Sequence, residues 1–354
     1  MSVNHIFQKT FSWSAPSNIA LVKYWGKTGL QNPLNPNLSF TLEKARTWVE
    51  LKWEPGRFEG KNFDFVFGEL PASEKFRSTL IRAFSLWTEV EKLTFPGIPK
   101  LRTRNNFPHS AGIASSASSF AALACAFWET QVELQHRQWG VEDTIKASRL
   151  ARLGSGSACR SLYGRLVSWG AFPAFSSKGS DDFATAIDSN IPSENLKWRD
   201  AVVLVDQQPK KVSSTAGHEL MDHHIFKQSR ELQARDNFKT IYQCLVEGNW
   251  PRFIERVEEE ALTLHALMMT SRPSVILAQP LSWELIQDIR DFRQSTGATV
   301  CFTLDAGPNI HVLYHESCST VVEGWLQRLA SQKKLSIHWD EVGMGPRNEG
   351  EHRS

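Results

Sequence analysis

The sequence predicts an α+β fold in two parts, and three observations carry that prediction. Its 354 residues, at about 150 per domain, leave room for roughly two domains with a core that needs neither disulfides nor a structural metal. The first third holds apolar, β-rich segments broken by turn residues, followed by helical periodicity. The second half reads as helices on a small sheet. Apolar residues make up 41% and charged residues 22%, with 13 Trp and 21 Phe, which excludes a disordered chain.

The elements follow in order. Trp13 to Val22, Leu38 to Trp53 and Phe63 to Leu70 read as β segments, and Glu74 to Val90 as a helix. From Ile113 to Leu134, Ala and Ser alternate with large apolar residues at helical spacing behind Gly112, which predicts a buried helix. A second helix, Val141 to Leu153, stops at Gly154, and Gly164 to Trp169 reads as a strand. Phe172 to Asn195 is rich in Ser, Asp and Pro before Ala201 to Asp206 restarts as a short buried strand. The domain boundary is therefore placed near residue 190, giving an N-terminal domain 1–190, a C-terminal domain 191–345 and a polar, frayed tail 346–354. The second domain is expected to hold a long helix around Ala216 to Ala234, helices at Asn237 to Glu247, Pro251 to Met269 and Trp283 to Ser295, and paired strands flanking Asp305. There is no internal repeat, heptad array or low-complexity tract.

Charge and cysteine content bound the function. Forty Lys and Arg against 38 Asp and Glu leave a formal charge of +2, so no bulk field draws the chain to nucleic acid or an acidic membrane. Any anion site must be local. The five cysteines include no CxxC pair, which argues against a zinc knuckle and a secreted disulfide framework and for a reducing cytoplasm. The first residues lack the apolar run of a signal peptide, and no 18-residue uncharged apolar stretch occurs, so neither export nor a membrane span is expected.

Four segments are candidates for chemistry, each with a plainer alternative. Asn105 to Ala117 (NNFPHSAGIASSA) places Gly112, Ser115 and Ser116 at a helix start, where unpaired N–H groups and the positive dipole end suit a phosphate chain. No Walker loop or dinucleotide fingerprint is present, and an N-cap with tight helix packing accounts equally well for the composition. Ser155-Gly-Ser-Ala-Cys-Arg160 offers two hydroxyls and a guanidinium that could grip a carboxylate, or a Gly-Ser turn with a surface Arg. Ala15 to Lys27 ends with Lys23 and Lys27; if that stretch is extended, both cations share one face and could meet phosphates, or they are solvated charges. Asp305 ends an apolar run before Gly307 and Pro308, where it either caps the turn or acts as a carboxylate on a rigid strand end, able to orient or deprotonate a hydroxyl.

Together the four segments resemble the GHMP kinase superfamily and, within it, the mevalonate diphosphate decarboxylases. The strings NIALVKYWGK, NNFP…AGIASSA, SGSACRS and DAGPN occur in that family's order and spacing across residues 15 to 309. The resemblance implies a two-domain GHMP fold with an N-terminal α+β domain, a ferredoxin-like C-terminal domain and the active site between them. It implies that ATP with Mg2+ is used to convert mevalonate 5-diphosphate to isopentenyl diphosphate, and that the chain forms a homodimer. By the same resemblance Asp305 lies beside the substrate's tertiary hydroxyl, Arg160 holds its carboxylate, and Lys23 stabilises charge near the transferred phosphoryl. Tyr24, Trp25, Gly26, Lys27, Ser155, Gly156 and Ser157 would line the remaining oxygens, with Lys75 and Thr215 at the diphosphate end. Asn106, Pro108, Gly112, Ala114, Ser115 and Ser116 would form the triphosphate loop, with Ser116 reaching Mg2+ through the nucleotide.

Three departures from the family pattern stand out. Asn35-Pro-Asn-Leu-Ser39 stands where many relatives have Asn-Ser-Ser-Leu-Ser, and Gly164-Arg165 replaces Gly-Gly; Thr215 stands where some relatives carry Arg. The competing readings are a GHMP small-molecule kinase, such as a mevalonate 3-kinase, and a catalytically silent fold relative that binds a partner.

Overall fold

Two long strands lay down the first sheet. In the computed structural model, which describes residues 3–71, 74–107, 115–176, 178–206 and 214–350, β1 (Thr10–Val22) and β4 (Asn37–Glu54) run antiparallel from Thr10↔Lys52 to Val22↔Leu38. The register shifts between Pro16 and Asn18, where proline has no N–H for the ladder, and again between Ala20 and Val22. Between these strands the chain makes a small hairpin, β2 (Lys27–Thr28) with β3 (Asn32–Pro33). The strand therefore ends at Val22. The condition under which Lys23 and Lys27 would share one face, an extended segment, is not met, because Gly26 turns the chain at φ +88°.

The sheet is completed by β5 (Asp64–Phe67), β6 (Leu70–Pro71), β7 (Ile98–Asn105), β8 (Leu166–Trp169) and β9 (Thr185–Ala186). The first half of β4 pairs with β8 and its second half with β7. One layer of helices covers it: α1 (Glu74–Glu89), α2 (Ser115–Leu134) and α3 (Val141–Gly154), followed by a 3-10 turn from Gly156 to Leu162. The small residues of α2, Ala117 to Ala126, bring its backbone close to β1 and β4, and Trp53, Phe84, Trp87 and Phe127 fill the core beside it.

The second sheet contains β10 (Trp198–Leu204), β11 (Val300–Thr303), β12 (Ile310–His315) and β13 (Ser336–Glu341), all antiparallel in the spatial order β11-β12-β10-β13. With helices between β10 and β11 and between β12 and β13, this is the split βαβ order of a ferredoxin-like unit. Its helices are α4 (Ser214–Glu219), α5 (Lys227–Glu247), α6 (Trp250–Met269), α7 (Pro280–Thr296) and α8 (Ser319–Lys333). Val202 faces a cluster containing Phe238 and Val257, whereas Val203 faces one containing Ile289 and Leu326, as strand alternation requires.

The expected helix pair 216–234 and 237–247 is corrected. The chain breaks at 220–226, after the short α4, and then runs as one helix from Lys227 to Glu247, since nothing near residue 235 interrupts it. The tail also holds further than expected: β14 (Arg347–Asn348) pairs with Ser14 and Trp13 at the edge of the first sheet.

The two sheets are joined by more than the chain. Ile19, Leu21, Leu38 and Phe40 of the first sheet belong to the same buried cluster as Trp198, Phe238 and Phe253 of the second. Buried Asp340 on β13 accepts the backbone N–H groups of Glu43, Lys44 and Ala45 at 3.0, 2.7 and 2.7 Å, clamping a bend in β4 to the other sheet.

Candidate active site

Lys23 follows directly on β1, and Asp305 lies two residues after β11. Lys23 Nζ donates to Asp305 Oδ1 at 3.0 Å and to the Ala20 carbonyl at 2.8 Å. The lysine side chain is 2% exposed and the aspartate 29%, so the carboxylate is the partner open to an incoming molecule. Burial pulls the ammonium below the ordinary lysine range; the charge and hydrogen bond of Asp305, and more weakly Glu260, act against that, while Arg160 adds to it.

Arg160 sits on the 3-10 turn after α3, buried like Lys23. Its Nε and Nη2 donate to Asn18 Oδ1 at 3.2 and 3.0 Å, and its Nη1 donates to Asn37 Oδ1. Asn18 is held in turn by donating to Ser161 Oγ at 2.8 Å and to the Ser157 carbonyl at 3.3 Å. A guanidinium carries five N–H groups, and three are spent here on neutral oxygens. Two donors and the full charge stay available, which is what bidentate binding of a carboxylate needs. Burial lowers the guanidinium's pKa, and Asp305 is among the charges that oppose this, so Arg160, Lys23 and Asp305 lie within one another's field.

The residues after Lys23 line the same side. Tyr24 packs its ring at a tilt against Trp169 at 4.7 Å and His218 at 4.2 Å, and a Cβ at Gly156 would come within 2.8 Å of its hydroxyl oxygen. Glycine is needed there so that the turn can approach the ring. Gly26 donates its N–H to His218 Nδ1 at 3.1 Å, which puts that ring's proton on Nε2; burial holds His218 neutral, at about 3. Trp25 packs over Gly217. Lys27 instead reaches Gln31 Oε1 at 3.4 Å and feels Arg82, Glu219 and Asp222, so it points to the hairpin side rather than toward Asp305. Arg152, buried at the end of α3, bonds Asn32 Oδ1 at 2.6 Å and the Leu30 carbonyl, tying that hairpin to the helix.

On the expected nucleotide side, Ser115 and Ser116 open α2. Ser116 Oγ lies 3.4 Å from Ser155 Oγ, so the two serine clusters meet. Asn106 uses its amide on β4, accepting from Arg46 N at 2.9 Å and donating to the Lys44 carbonyl at 2.7 Å, and so fixes where the chain leaves β7. Pro108, Gly112 and Ala114 lie outside the described residues. Lys75 lies on α1 and Thr215 on α4, and their side chains also lie outside what is described. No group of three His, Cys, Asp or Glu capable of holding a metal occurs among the described residues.

Several contributing residues were not singled out from the sequence. Asn18 stands inside the quoted NIALVKYWGK string and Asn37 inside the departure at 35–39, so both were within sight of motif reading. His218 had no local signal. Neither had Glu260, Arg230 and Asn237, which form a buried network behind Lys23: Glu260 takes both Arg230 Nη groups at 2.7 Å and Asn237 Nδ2 at 2.8 Å. His265, held neutral by burial at about 4, bonds the Asp305 carbonyl through Nε2 at 3.2 Å.

Comparison with known proteins covers most of the chain. Residues 15–183 match the family model of the diphosphomevalonate decarboxylase-like N-terminal domain, and residues 201–348 match that of the mevalonate 5-diphosphate decarboxylase C-terminal domain. The diphosphomevalonate decarboxylase of Saccharomyces cerevisiae is 33% identical over 321 residues, covering 86% of this chain and 78% of the yeast protein. Among solved structures, mevalonate diphosphate decarboxylase from Staphylococcus aureus superposes with a TM-score of 0.82 at 26% identity, covering 97% of this chain and 99% of that one. A complex of MDDEF with MVAPP, AMPPCP and magnesium superposes with a TM-score of 0.79 at 27% identity, covering 96% and 98%.

Proposed function

The chain belongs to the diphosphomevalonate decarboxylase family, and from that premise we propose how its residues carry the reaction. The reaction is the ATP-dependent conversion of mevalonate 5-diphosphate to isopentenyl diphosphate, carbon dioxide, ADP and phosphate. A β-hydroxy carboxylate resists loss of carbon dioxide because hydroxide is a poor leaving group. Phosphorylating the tertiary oxygen makes departure possible, and carbon–carbon cleavage supplies the electron pair that becomes the new double bond.

Asp305 is the group that receives the tertiary hydroxyl, accepting its hydrogen bond and then its proton as the oxygen attacks the γ-phosphorus. Lys23, bonded to the same carboxylate, stabilises the charge that grows at the transferred phosphoryl. Arg160 takes the carboxylate on its two uncommitted N–H groups and so aligns the bond that breaks with the phosphate that leaves. Tyr24, Trp25, Gly26, Lys27, Ser155, Gly156 and Ser157 line the organic substrate, with Lys75 and Thr215 at its diphosphate. The nucleotide's phosphates lie at the start of α2, against Ser115 and Ser116 and the segment bearing Asn106, Pro108, Gly112 and Ala114. The donor set fits Mg2+ brought on the nucleotide: Ser116 offers one hydroxyl, and Mg2+ commonly takes few protein ligands alongside phosphate oxygens and water. When bound, the ion neutralises phosphate charge.

The observation that carries this reading is the triad of Lys23, Asp305 and Arg160, which brings a buried ammonium, a part-exposed carboxylate and a buried guanidinium bonded to neutral oxygens into one another's field from three distant segments. The residue spans 1–190 and 191–345 are proposed as the two domains, supported by one large sheet built mainly from each and by the spans of the family matches. A reducing cytoplasm suits the five free cysteines, no described helix is long and apolar enough to cross a membrane, and assembly as a homodimer rests on the family resemblance. Product analysis with ATP and mevalonate 5-diphosphate tests the function. Carbon dioxide and isopentenyl diphosphate in step with ADP are expected; a stable 3-phosphorylated product without carbon dioxide would replace the decarboxylase with a kinase.

A further inference from the structure

Helix α6 reaches both halves of the Lys23–Asp305 pair without supplying either. Glu260 Oε2 accepts the backbone N–H of Lys23 at 2.9 Å, and Arg230, locked to the same carboxylate, donates Nη2 to the Lys23 carbonyl at 3.1 Å. Both polar groups of the Lys23 main chain are thus held by one ion pair. Asn35 Nδ2 adds a second bond to that carbonyl at 3.1 Å. Five residues further along the same helix, His265 holds the carbonyl of Asp305.

The placement is hard to explain by packing alone. Glu260 is 0% exposed and Arg230 2%, so two charges are withdrawn from water at a site where apolar side chains would cost less. Their hydrogen bonds go to each other, to Asn237, to Lys23 and, at 3.4 Å, from Arg230 Nη1 to Gln233 Oε1. Lys23 lies just past the last residue of β1, where the ladder no longer fixes its backbone. A lysine whose ammonium must sit 3.0 Å from a carboxylate on another sheet needs its main chain fixed by something else.

We propose that α6 sets the Lys23–Asp305 geometry, with Glu260 and Arg230 as positioning residues for Lys23 and His265 as the positioning residue for Asp305. Two anchors five residues apart on one helix stand roughly 7.5 Å apart along its axis, and a helix keeps that spacing rigidly. None of the three is assigned a contact with substrate. The proposal rests on the reading of Lys23 and Asp305 as catalytic residues.

Glu260→Gln keeps an acceptor for the Lys23 N–H but strands Arg230. Glu260→Gln with Arg230→Met removes both charges and the donor to the Lys23 carbonyl while avoiding an unpaired buried ion. Thermal unfolding, kcat, both KM values and the pH profile of kcat are measured on both. The double variant should unfold within a few degrees of the parent, lose about 10-fold or more in kcat, and leave both KM values within about 3-fold. Because the Glu260 carboxylate helps keep Lys23 protonated, the alkaline limb of kcat should also move to lower pH in Glu260→Gln. A folded double variant with kcat within about 2-fold of the parent overturns the proposal. So does one that does not fold, since the pair would then serve the core and not the site. Lys23→Met and Asp305→Asn are run alongside: near-parental turnover in those two removes the underlying catalytic reading, whatever Glu260 does.

Discussion

Replacing Arg160 with lysine preserves a positive charge and removes a shape, and the structure says how much that costs. The guanidinium now spends three N–H groups on Asn18 and Asn37 and keeps two for a carboxylate. An ammonium has three donors in all, radiating from one atom at the end of a flexible stem. If it serves the two asparagines, it has one left, so at least one charge-assisted bond to the substrate is lost. Such a bond contributes about 2 kcal/mol, which is about 30-fold in kcat/KM. Misalignment of the carbon–carbon bond with the departing oxygen adds to this in the elimination alone. Arg160→Lys should therefore lose about 30-fold or more in kcat/KM for the organic substrate, with any leakage seen as ADP formed in excess of carbon dioxide. The assay follows ADP and carbon dioxide together in parent and variant. Turnover within about 3-fold of the parent, with the two products still equal, would refute the carboxylate-fork argument.

Asp305→Asn keeps the shape of the group that accepts the hydroxyl proton and removes its basicity, so turnover should fall by at least about 10²-fold while nucleotide affinity by titration is retained. Ser116→Ala should chiefly raise the KM for ATP and Ser157→Ala the KM for the organic substrate, and steady-state kinetics with each substrate varied separates the two. His218 and His265 are buried neutral at about 3 and about 4, so the unfolded chain takes up protons below about pH 6.5 that the folded chain refuses. Stability is therefore fully present above that pH and lost as pH falls toward the folded values, by roughly 1.4 kcal/mol per pH unit for each ring. His218→Gln, which keeps an acceptor for Gly26, should flatten that slope by about one proton in denaturant unfolding measured from pH 7 to 4.5.

What the sequence disclosed was what lies close along the chain. The Ser-rich start of α2, the Arg after the α3 stop and the acid after an apolar run each depend on neighbours a few residues away, so their composition carried a signal. Glu260 did not. It sits among Glu255, Glu258 and Glu259 on a helix whose acids look like a solvated face, and its partners lie 237 residues upstream at Lys23 and 30 residues upstream at Arg230. β7 was missed for a related reason: Lys100, Arg102 and Arg104 alternate with Leu101 and Thr103, so only one large apolar side chain marks its buried face. β13 hides likewise behind His338 and Asp340, and α8 escaped because its buried residues are only Val322, Leu326 and Leu329. The helix at 227–247 carries no Gly or Pro, and a lapse in apolar periodicity near residue 235 does not break it.

The clamp of Asp340 on the bend at Glu43 to Ala45 bears on inheritance between relatives. An exchange of halves at the boundary between the two sheets would look clean on a linear map, since the family matches leave a gap from residue 184 to 200. The chain is not modular there. A chimera that takes its second half from elsewhere brings a foreign β13 to three backbone N–H groups that need a carboxylate, and a foreign face to Leu38 and Phe40. Buried donors left without an acceptor cost about 1–3 kcal/mol each. The bend in β4 and the acid on β13 must therefore descend together, and a productive recombination point is one that keeps residues 43–45 and 340 from the same parent.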